Sequence, residues 1–287
     1  MKRSSILTSL LPVIAIASFA TAHAGSIILT GHDDDLHESN EALLAVSAFT
    51  NFVGSGDSNK KPALPILVFD QGTQLSSTLT FLGYSVVAVD PGAGPIDTTL
   101  FDHNKYAAFE VASDTTCGGC DNDATGSANL STPAVKSAIA SFFNAGGGIV
   151  AFAGASNPSY YDFIPSTVSN PGLVDCPPGD CFTQTAVGAQ LGIPAVTTDY
   201  PHNFFPFPGS PGMSSAWVAT EVFNGKDADG NTLVNQPFTV AIKGSIVCDP
   251  STSGCFITPE PSTWLAMGLG LAIVGFARNK RIRAAVS

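Results

Sequence analysis

Two histidines and four carboxylates fall within seven residues near the start of the chain, in the segment 32–38. Imidazole nitrogens and carboxylate oxygens are common metal ligands, so this composition indicates a site for a divalent metal ion. His32, Asp34 and His37 are the first candidate ligands, because one short segment cannot aim every side chain at one point. The alternative is structural, since acidic residues also gather where a helix begins and its dipole favours negative charge.

A second candidate site combines Ser156, in the turn after an apolar run, with His202. A serine beside an imidazole base is a usual arrangement for nucleophilic catalysis, so these two residues are the candidate catalytic pair. The alternative for His202 is a loop histidine packed among the phenylalanines that follow it at 204, 205 and 207. Such a Phe-Pro run, if exposed, would itself suit a binding surface.

The six cysteines form three close pairs, each enclosing a turn-like sequence. In an oxidising compartment an even count indicates disulfides, and turn sequences bring neighbouring cysteines together. The predicted bonds are Cys117–Cys120, Cys176–Cys181 and Cys248–Cys255. The alternative for the first pair is a redox dithiol, which the flanking acids disfavour because they raise a thiol pKa.

The elements that must position these residues follow an alternating pattern. Short apolar runs predict strands, and apolar residues at helical spacing predict helices between them. Predicted strands cover 26–30, 64–69, 84–89, 106–111, 149–153, 217–223 and 238–242, and predicted helices cover 39–52, 75–82 and the segment after 131. The segment 226–231 is either a hairpin turn or part of a calcium loop, and the missing downstream Glu favours the turn. Alternation with short links predicts an α/β domain with a mostly parallel sheet and helices on both faces.

Both ends of the chain carry sorting features. Residues 1–24 combine a basic start, an apolar stretch and a small-x-small site, which is typical of a cleavable signal peptide. At the other end, Pro259, Glu260 and Pro261 precede an uncharged apolar stretch at 264–277 and a basic tail. We expect the stretch to form a transmembrane helix with its basic end in the cytoplasm. The alternatives are an uncleaved anchor at the start and an ordinary anchor with a chance PEP at the end.

The tail ITPEPSTWLAMGLGLAIVGFARNKRIR resembles the PEP-CTERM sorting signal. The resemblance implies that Pro259, Glu260 and Pro261 form a motif recognised by a membrane-embedded exosortase. It further implies a Gram-negative host that makes exopolysaccharide. The expected division is therefore a signal peptide at 1–24, an extracytoplasmic domain at 25–257 and a sorting signal at 258–287.

The pieces SIILTGHDDDLHE, GGGIVAFAGAS and TDYPHNFFPF resemble the class I glutamine-amidotransferase-like fold, with its ThuA-like members nearest. This resemblance implies a flavodoxin-like topology over roughly 26–245, and His202 falls near the active-site His of that fold. The nucleophile differs, because the turn after the fifth predicted strand carries Ser156 instead of Cys and does not complete Gly-x-Ser-x-Gly.

Charge limits the partners. Residues 25–261 hold six lysines, no arginine and all 23 acidic residues, a formal charge of −17. Nucleic acid is excluded, and anionic membrane surfaces are disfavoured, because both need clustered cations. The expected partners are signal peptidase, exosortase, the inner membrane and exopolysaccharide, and the expected destination is the cell surface or extracellular matrix. The domain is expected to bind or to serve structure, and the alternative is a metal- or Ser/His-dependent hydrolase.

Overall fold

A computed structural model describes residues 25–37, 39–114, 122–154, 157, 159–164, 166, 168–169, 174–175, 181–197, 202–249 and 254–259. Within them one sheet contains every named strand, in the order β3-β2-β4-β5-β1-β9-β8-β6, with β10 on β9 and β7 on β8. The first five strands are β1 (Gly25–Thr30), β2 (Ile66–Phe69), β3 (Val86–Val89), β4 (Ala108–Val111) and β5 (Gly148–Ala151). The other five are β6 (Val174–Asp175), β7 (Phe182–Gln184), β8 (Val218–Asp227), β9 (Thr232–Asp249) and β10 (Gly254–Pro259).

The sheet divides into a parallel half and an antiparallel half. Strands β1 to β5 pair in parallel, whereas β9 runs antiparallel to β1 and begins a series of antiparallel pairings. The α/β architecture is therefore confirmed, with the parallel strands forming half of the sheet. Strands β2 to β5 follow the 2-1-3-4 part of the flavodoxin order, but β1 lies between β5 and β9, whereas the first strand of the flavodoxin order lies between its second and third. The flavodoxin-like topology stays a prediction.

Five α-helices connect the strands: α1 (Asn40–Ser55), α2 (Gln74–Phe81), α3 (Ala124–Leu130), α4 (Pro133–Asn144) and α5 (Ala186–Leu191), with 3-10 turns at Thr98–Leu100 and Tyr160–Phe163. The Ser39 hydroxyl accepts the Ala42 amide at 3.1 Å and caps α1. Pro133 occupies the first position of α4, which needs no donor there. Helices α3 and α5 and strands β6, β7 and β10 are additions that the sequence patterns did not predict.

Side chains alternate between the two faces of the parallel strands and fill two cores. On one face Ile27, Leu67 and Phe109 pack with α4 residues, and on the other Ile28 and Val68 pack with α1 and α2. Each large apolar side chain buried this way stabilises the fold by roughly 1.5–3 kcal/mol. The expectation of helices on both faces is confirmed by these two layers.

The β8–β9 hairpin confirms the predicted turn. Asp227 accepts the backbone amides of Asp229 and Asn231 at 3.0 and 2.7 Å, and also the Asn231 side chain at 2.8 Å. The Asp227 carboxylate thus accepts hydrogen bonds from residues of its own turn, which is the role expected of Asp in a tight hairpin.

Candidate functional site at the carboxyl edge of the sheet

Five aspartates lie where the parallel strands end, at what we call the carboxyl edge. Asp33, Asp34 and Asp35 follow β1, Asp70 follows β2 and Asp114 follows β4, and all five are buried. Open α/β sheets bind ligands at this edge, where loops from several strands meet. Burying carboxylates is costly unless hydrogen bonds or charges compensate, so the partners of each one decide what the cluster can do.

Asp33 bridges two histidines. Its Oδ1 lies 3.1 Å from His37 Nε2 and its Oδ2 lies 2.9 Å from His202 Nε2. Asp33 is 5% exposed, while His37 and His202 are 43% and 21% exposed. Burial opposes ionisation of Asp33, but the hydrogen bonds from His202 and then His37 outweigh it and hold its pKa well below the usual range. The result is an ionised carboxylate that orients two solvent-accessible imidazoles.

The backbone of the loop that carries His202 is attached to the end of β1. The His202 amide donates to the Gly31 carbonyl at 3.0 Å. The loop passes so close that a Cβ on Gly31 would lie 1.7 Å from the Asn203 carbonyl oxygen. Fully buried Asn203 then accepts the Gly154 amide at 2.9 Å and contacts the Tyr161 hydroxyl at 3.3 Å. These contacts place His202 between the ends of β1 and β5.

His32 points to a different set of partners. Its Nε2 lies 3.0 Å from Glu221 Oε2, and both side chains are buried. Glu221 also accepts the Thr239 hydroxyl at 2.6 Å and the Val196 amide at 2.8 Å. The rings of Phe182 and Phe238 pack on the imidazole with centroids 4.6 and 4.5 Å away. A fully enclosed pair of this kind serves the packing of β8 and β9 against β1.

The remaining acids of the edge make structural contacts. Asp35 accepts both the amide and the hydroxyl of Ser113, and burial nevertheless raises its pKa well above the usual range, because those bonds compensate only in part. Asp70 accepts the Thr73 and Ser76 amides at 2.8 and 2.9 Å and so caps the start of α2. Asp114 accepts the Ser127 hydroxyl at 2.8 Å.

The structure describes all three predicted metal ligands and one of the two predicted catalytic residues, His202. His32 contacts Glu221, His37 contacts Asp33, and Asp34 is fully buried. Among the described residues, no group of three His, Cys, Asp or Glu side chains is arranged to hold a metal ion. The metal set His32, Asp34 and His37 therefore stays a prediction that no described cluster supports. Ser156 lies outside the described residues, although Gly154, two residues earlier, is bonded to Asn203 beside His202.

Other predictions concern the cysteines and the ends. Cys181 is in a disulfide, and the backbone register of β9 and β10 places Cys248 directly opposite Cys255. Cys117, Cys120 and Cys176 lie outside the described residues, so the three pairings stay predictions. The signal peptide at 1–24 and the apolar stretch at 264–277 also lie outside them. In the part of the chain that the structure describes, no helix is both long and apolar enough to cross a membrane.

Comparison with known families identifies the tail. The model of the PEP-CTERM protein-sorting motif matches residues 258–281. The chain thus carries a PEP-CTERM sorting motif, which implies processing by an exosortase and supports export with membrane-anchored sorting before that processing. No curated protein and no solved structure matches the chain.

Sequence reasoning missed Glu221 and the bridging role of Asp33. Glu221 is separated from His32 by 189 residues, and nothing in its strand sequence distinguishes it from a solvent-facing acid. Asp33 stood in the predicted cluster, but its partner His202 comes from a distant loop. The only sequence signal for this contact was that both the segment with Asp33 and the segment with His202 were expected near the carboxyl ends of strands.

Proposed function

We propose that this protein is exported through a signal peptide at 1–24 and then sorted to the cell surface or extracellular matrix by an exosortase. The match to the PEP-CTERM motif at 258–281 carries the proposal. Signal peptidase removes the N-terminal segment, and the inner membrane holds the tail until the exosortase acts. The α/β domain at 25–257 serves binding or structure outside the cell, with exopolysaccharide as the partner that the sorting system implies.

The sorting proposal is tested in the native host with Glu260→Gln, which removes the charge of the motif. We expect the variant to accumulate in the membrane fraction with its tail intact, while the parent chain is processed. Asp229→Asn makes the same change at an exposed hairpin acid and should leave processing unchanged. Equal processing of Glu260→Gln and parent, measured by intact mass, would refute a role for the motif.

A second candidate function, hydrolysis, is favoured by the contacts of Asp33 with His37 and His202. An imidazole oriented by a buried carboxylate is the base half of a catalytic triad. In this proposal His202 accepts the proton of the Ser156 hydroxyl while the serine oxygen bonds to the carbonyl carbon of the substrate. The protonated imidazole then gives that proton to the leaving group, which departs as the acyl-enzyme forms. His202 next accepts a proton from the water that attacks the acyl carbonyl, and it returns this proton to the Ser156 oxygen as the acid product leaves.

The hydrolase proposal is tested on the full chain with p-nitrophenyl esters. We expect His202→Asn and Asp33→Asn to lower kcat/KM by about 100-fold or more, the usual contribution of an oriented general base. His103→Asn is the matched control, because His103 is exposed at the opposite edge of the sheet. The hydrolase proposal would be refuted if the parent chain hydrolysed no ester faster than buffer does, or if the variants retained the parental rate. The binding role would then remain as the proposed function of the domain.

A further inference from the structure

Strand β3 is the last strand on one side of the sheet. It pairs in parallel with β2, and within the described ranges no strand lies on its other side. The carbonyls of Ser85 and Val89 accept amides from the β2 side at 2.8 and 3.0 Å. Because backbone groups alternate in direction along a strand, Val87 also faces β2, whereas Val86 and Ala88 turn their N–H and C=O groups outward. The strand therefore presents two donors and two acceptors to a further strand.

The outward side of β3 lacks the features that usually prevent pairing at a sheet edge. Natural sheets protect their edges with charged side chains, prolines or bulges. Strand β3 reads Val-Val-Ala-Val, and its register with β2 is regular. Ser85, Val87 and Ala88 are exposed, so no described segment covers this side. An open apolar edge strand of this kind is suited to pairing with another strand.

The surface around β3 is uncharged, although the domain as a whole is acidic. Residues 71–89, which include α2 and β3, contain no Asp, Glu, Lys or Arg, whereas residues 25–261 carry a formal charge of −17. Two copies of an acidic domain repel each other wherever their acids approach, and salt limits this repulsion to a range of about 8 Å at physiological ionic strength. Contact between two copies is therefore least opposed where the acids are absent, as they are along β3.

Antiparallel pairing of two β3 strands has one register that uses every outward group. Two residues of an antiparallel pair exchange both of their hydrogen bonds only when both point toward the partner strand. Val86 then lies opposite Ala88 of the second copy, and the two-fold axis passes between the two Val87 side chains. This register forms four hydrogen bonds, and each copy contributes the same residues to them.

The same register brings opposite charges together. Beyond the ends of β3, Asp90 of one copy lies opposite Tyr84 of the other. Lys61 is at that point, because its Nζ lies 4.8 Å from the centroid of the Tyr84 ring and donates to the Leu82 carbonyl. Asp97, the next acid along the chain, accepts an amide of its own 3-10 turn at 2.9 Å. The exposed Asp90 of each copy therefore meets Lys61 of the other on both sides of the axis.

We propose that this protein self-associates through β3, so that the sheets of two copies join across a two-fold axis into one continuous sheet. The partner is a second copy of the chain. The inference goes beyond export and hydrolysis and depends on neither. Because the joined strands are antiparallel, the carboxyl edges of the two copies face opposite directions.

Cross-linking at the axis tests the register. Directly opposed residues of a non-hydrogen-bonded antiparallel pair have Cα atoms about 4.5 Å apart, which a disulfide can span. On mild oxidation of the full chain in detergent, we expect Val87→Cys to give a disulfide-linked dimer on a non-reducing gel. Val218→Cys is the matched control, because both are strand valines, with exposed fractions of 38% and 37%.

The expected yield of linked dimer is at least about tenfold higher for Val87→Cys than for Val218→Cys, because only the first pair meets the geometry of the bond. Equal yields from the two variants, or no linked dimer from Val87→Cys, would overturn the proposal.

A charge at the axis provides a second test without cross-linking. Val87→Lys places two ammonium groups directly opposite each other, and like charges in that position are destabilising. In native mass spectra of the full chain we expect a dimer for the parent, a monomer for Val87→Lys and a dimer again for Val218→Lys. A monomeric parent, or a Val87→Lys dimer as abundant as that of the parent, would contradict association through β3.

Discussion

Buried carboxylates in this protein are stabilised in three different ways, depending on the groups that surround each one. Asp33 is ionised between two imidazoles, and Glu221 is fully hydrogen-bonded by His32, Thr239 and Val196. Glu110 is different: it lies in β4 on the face covered by α1, is fully buried, and its pKa is raised to about 8 by burial, with Thr50 opposing this only in part. Glu110 is therefore a neutral acid at pH 7.

Glu110→Gln should make stability less dependent on pH. A carboxyl whose folded pKa exceeds its unfolded value binds more protons when folded, so the parent loses stability as pH rises from 4.5 to about 8. The amide cannot ionise, so the variant gains relative to the parent by up to about 1.4 kcal/mol per pH unit across that window. Denaturant unfolding at pH 5, 6, 7 and 8 measures the difference.

Asp229→Asn, at an exposed hairpin position, is the control and should follow the parent at every pH. A difference between Glu110→Gln and parent that stays constant from pH 5 to 8 would show that Glu110 has an ordinary pKa in the folded state.

At the scale of elements, close approach of the 202–205 loop to β1 shapes the site. Gly31 directly follows β1 at the point where the loop crosses it, and the Phe205 amide extends the contact by donating to the Pro237 carbonyl at 2.9 Å. Asn203, Tyr161 and Gly154 join the loop to the end of β5. The positions of His202 and Asp33 thus depend on one glycine and one buried amide.

Gly31→Ala should displace the loop. The added Cβ would lie 1.7 Å from the Asn203 carbonyl oxygen and 2.7 Å from the Phe238 ring. Overpacking of this kind costs typically 1–3 kcal/mol, and we expect the upper end because the nearest atom is backbone. Thermal unfolding measures the loss, and the NMR signals of His202 should shift with it.

Gly94→Ala is the control, because no atom lies within 4 Å of the Cβ it would add. Its backbone has φ +156, so it reports the conformational cost alone. Equal, small losses in both variants would mean that the loop does not press on Gly31.

Element prediction from sequence succeeded where the pattern is local. Apolar runs predicted β1 to β5, and apolar residues at helical spacing predicted α1, α2 and α4. Strands β6 and β7 were missed because they have only two and three residues, and β6, β7 and β10 all gain their stability from pairing with β8 or β9. The position of β1 between β5 and β9 also escaped, since pairing order depends on long-range contacts that periodicity does not encode.

At the scale of the whole molecule, the two edges of the sheet differ in role. At the edge where the parallel strands begin, Gly25 and Pro259 both pair with Gly244, and the carboxyl edge gathers the buried aspartates and the bridged histidines. The candidate site was predictable as a cluster at 32–38 and as His202, but not as a unit, because the contact between Asp33 and His202 joins segments 169 positions apart in the printed sequence. The sorting motif could be predicted without the fold, because its residues are consecutive in the sequence.

The most direct test is mass spectrometry of the mature protein isolated from its native host, without reduction. We expect an N-terminus at Gly25, loss of the apolar and basic segments after the PEP motif, and bonds joining Cys117–Cys120, Cys176–Cys181 and Cys248–Cys255. A chain that retains residues 1–24 and an intact tail, with its cysteines reduced, would contradict export and sorting alike.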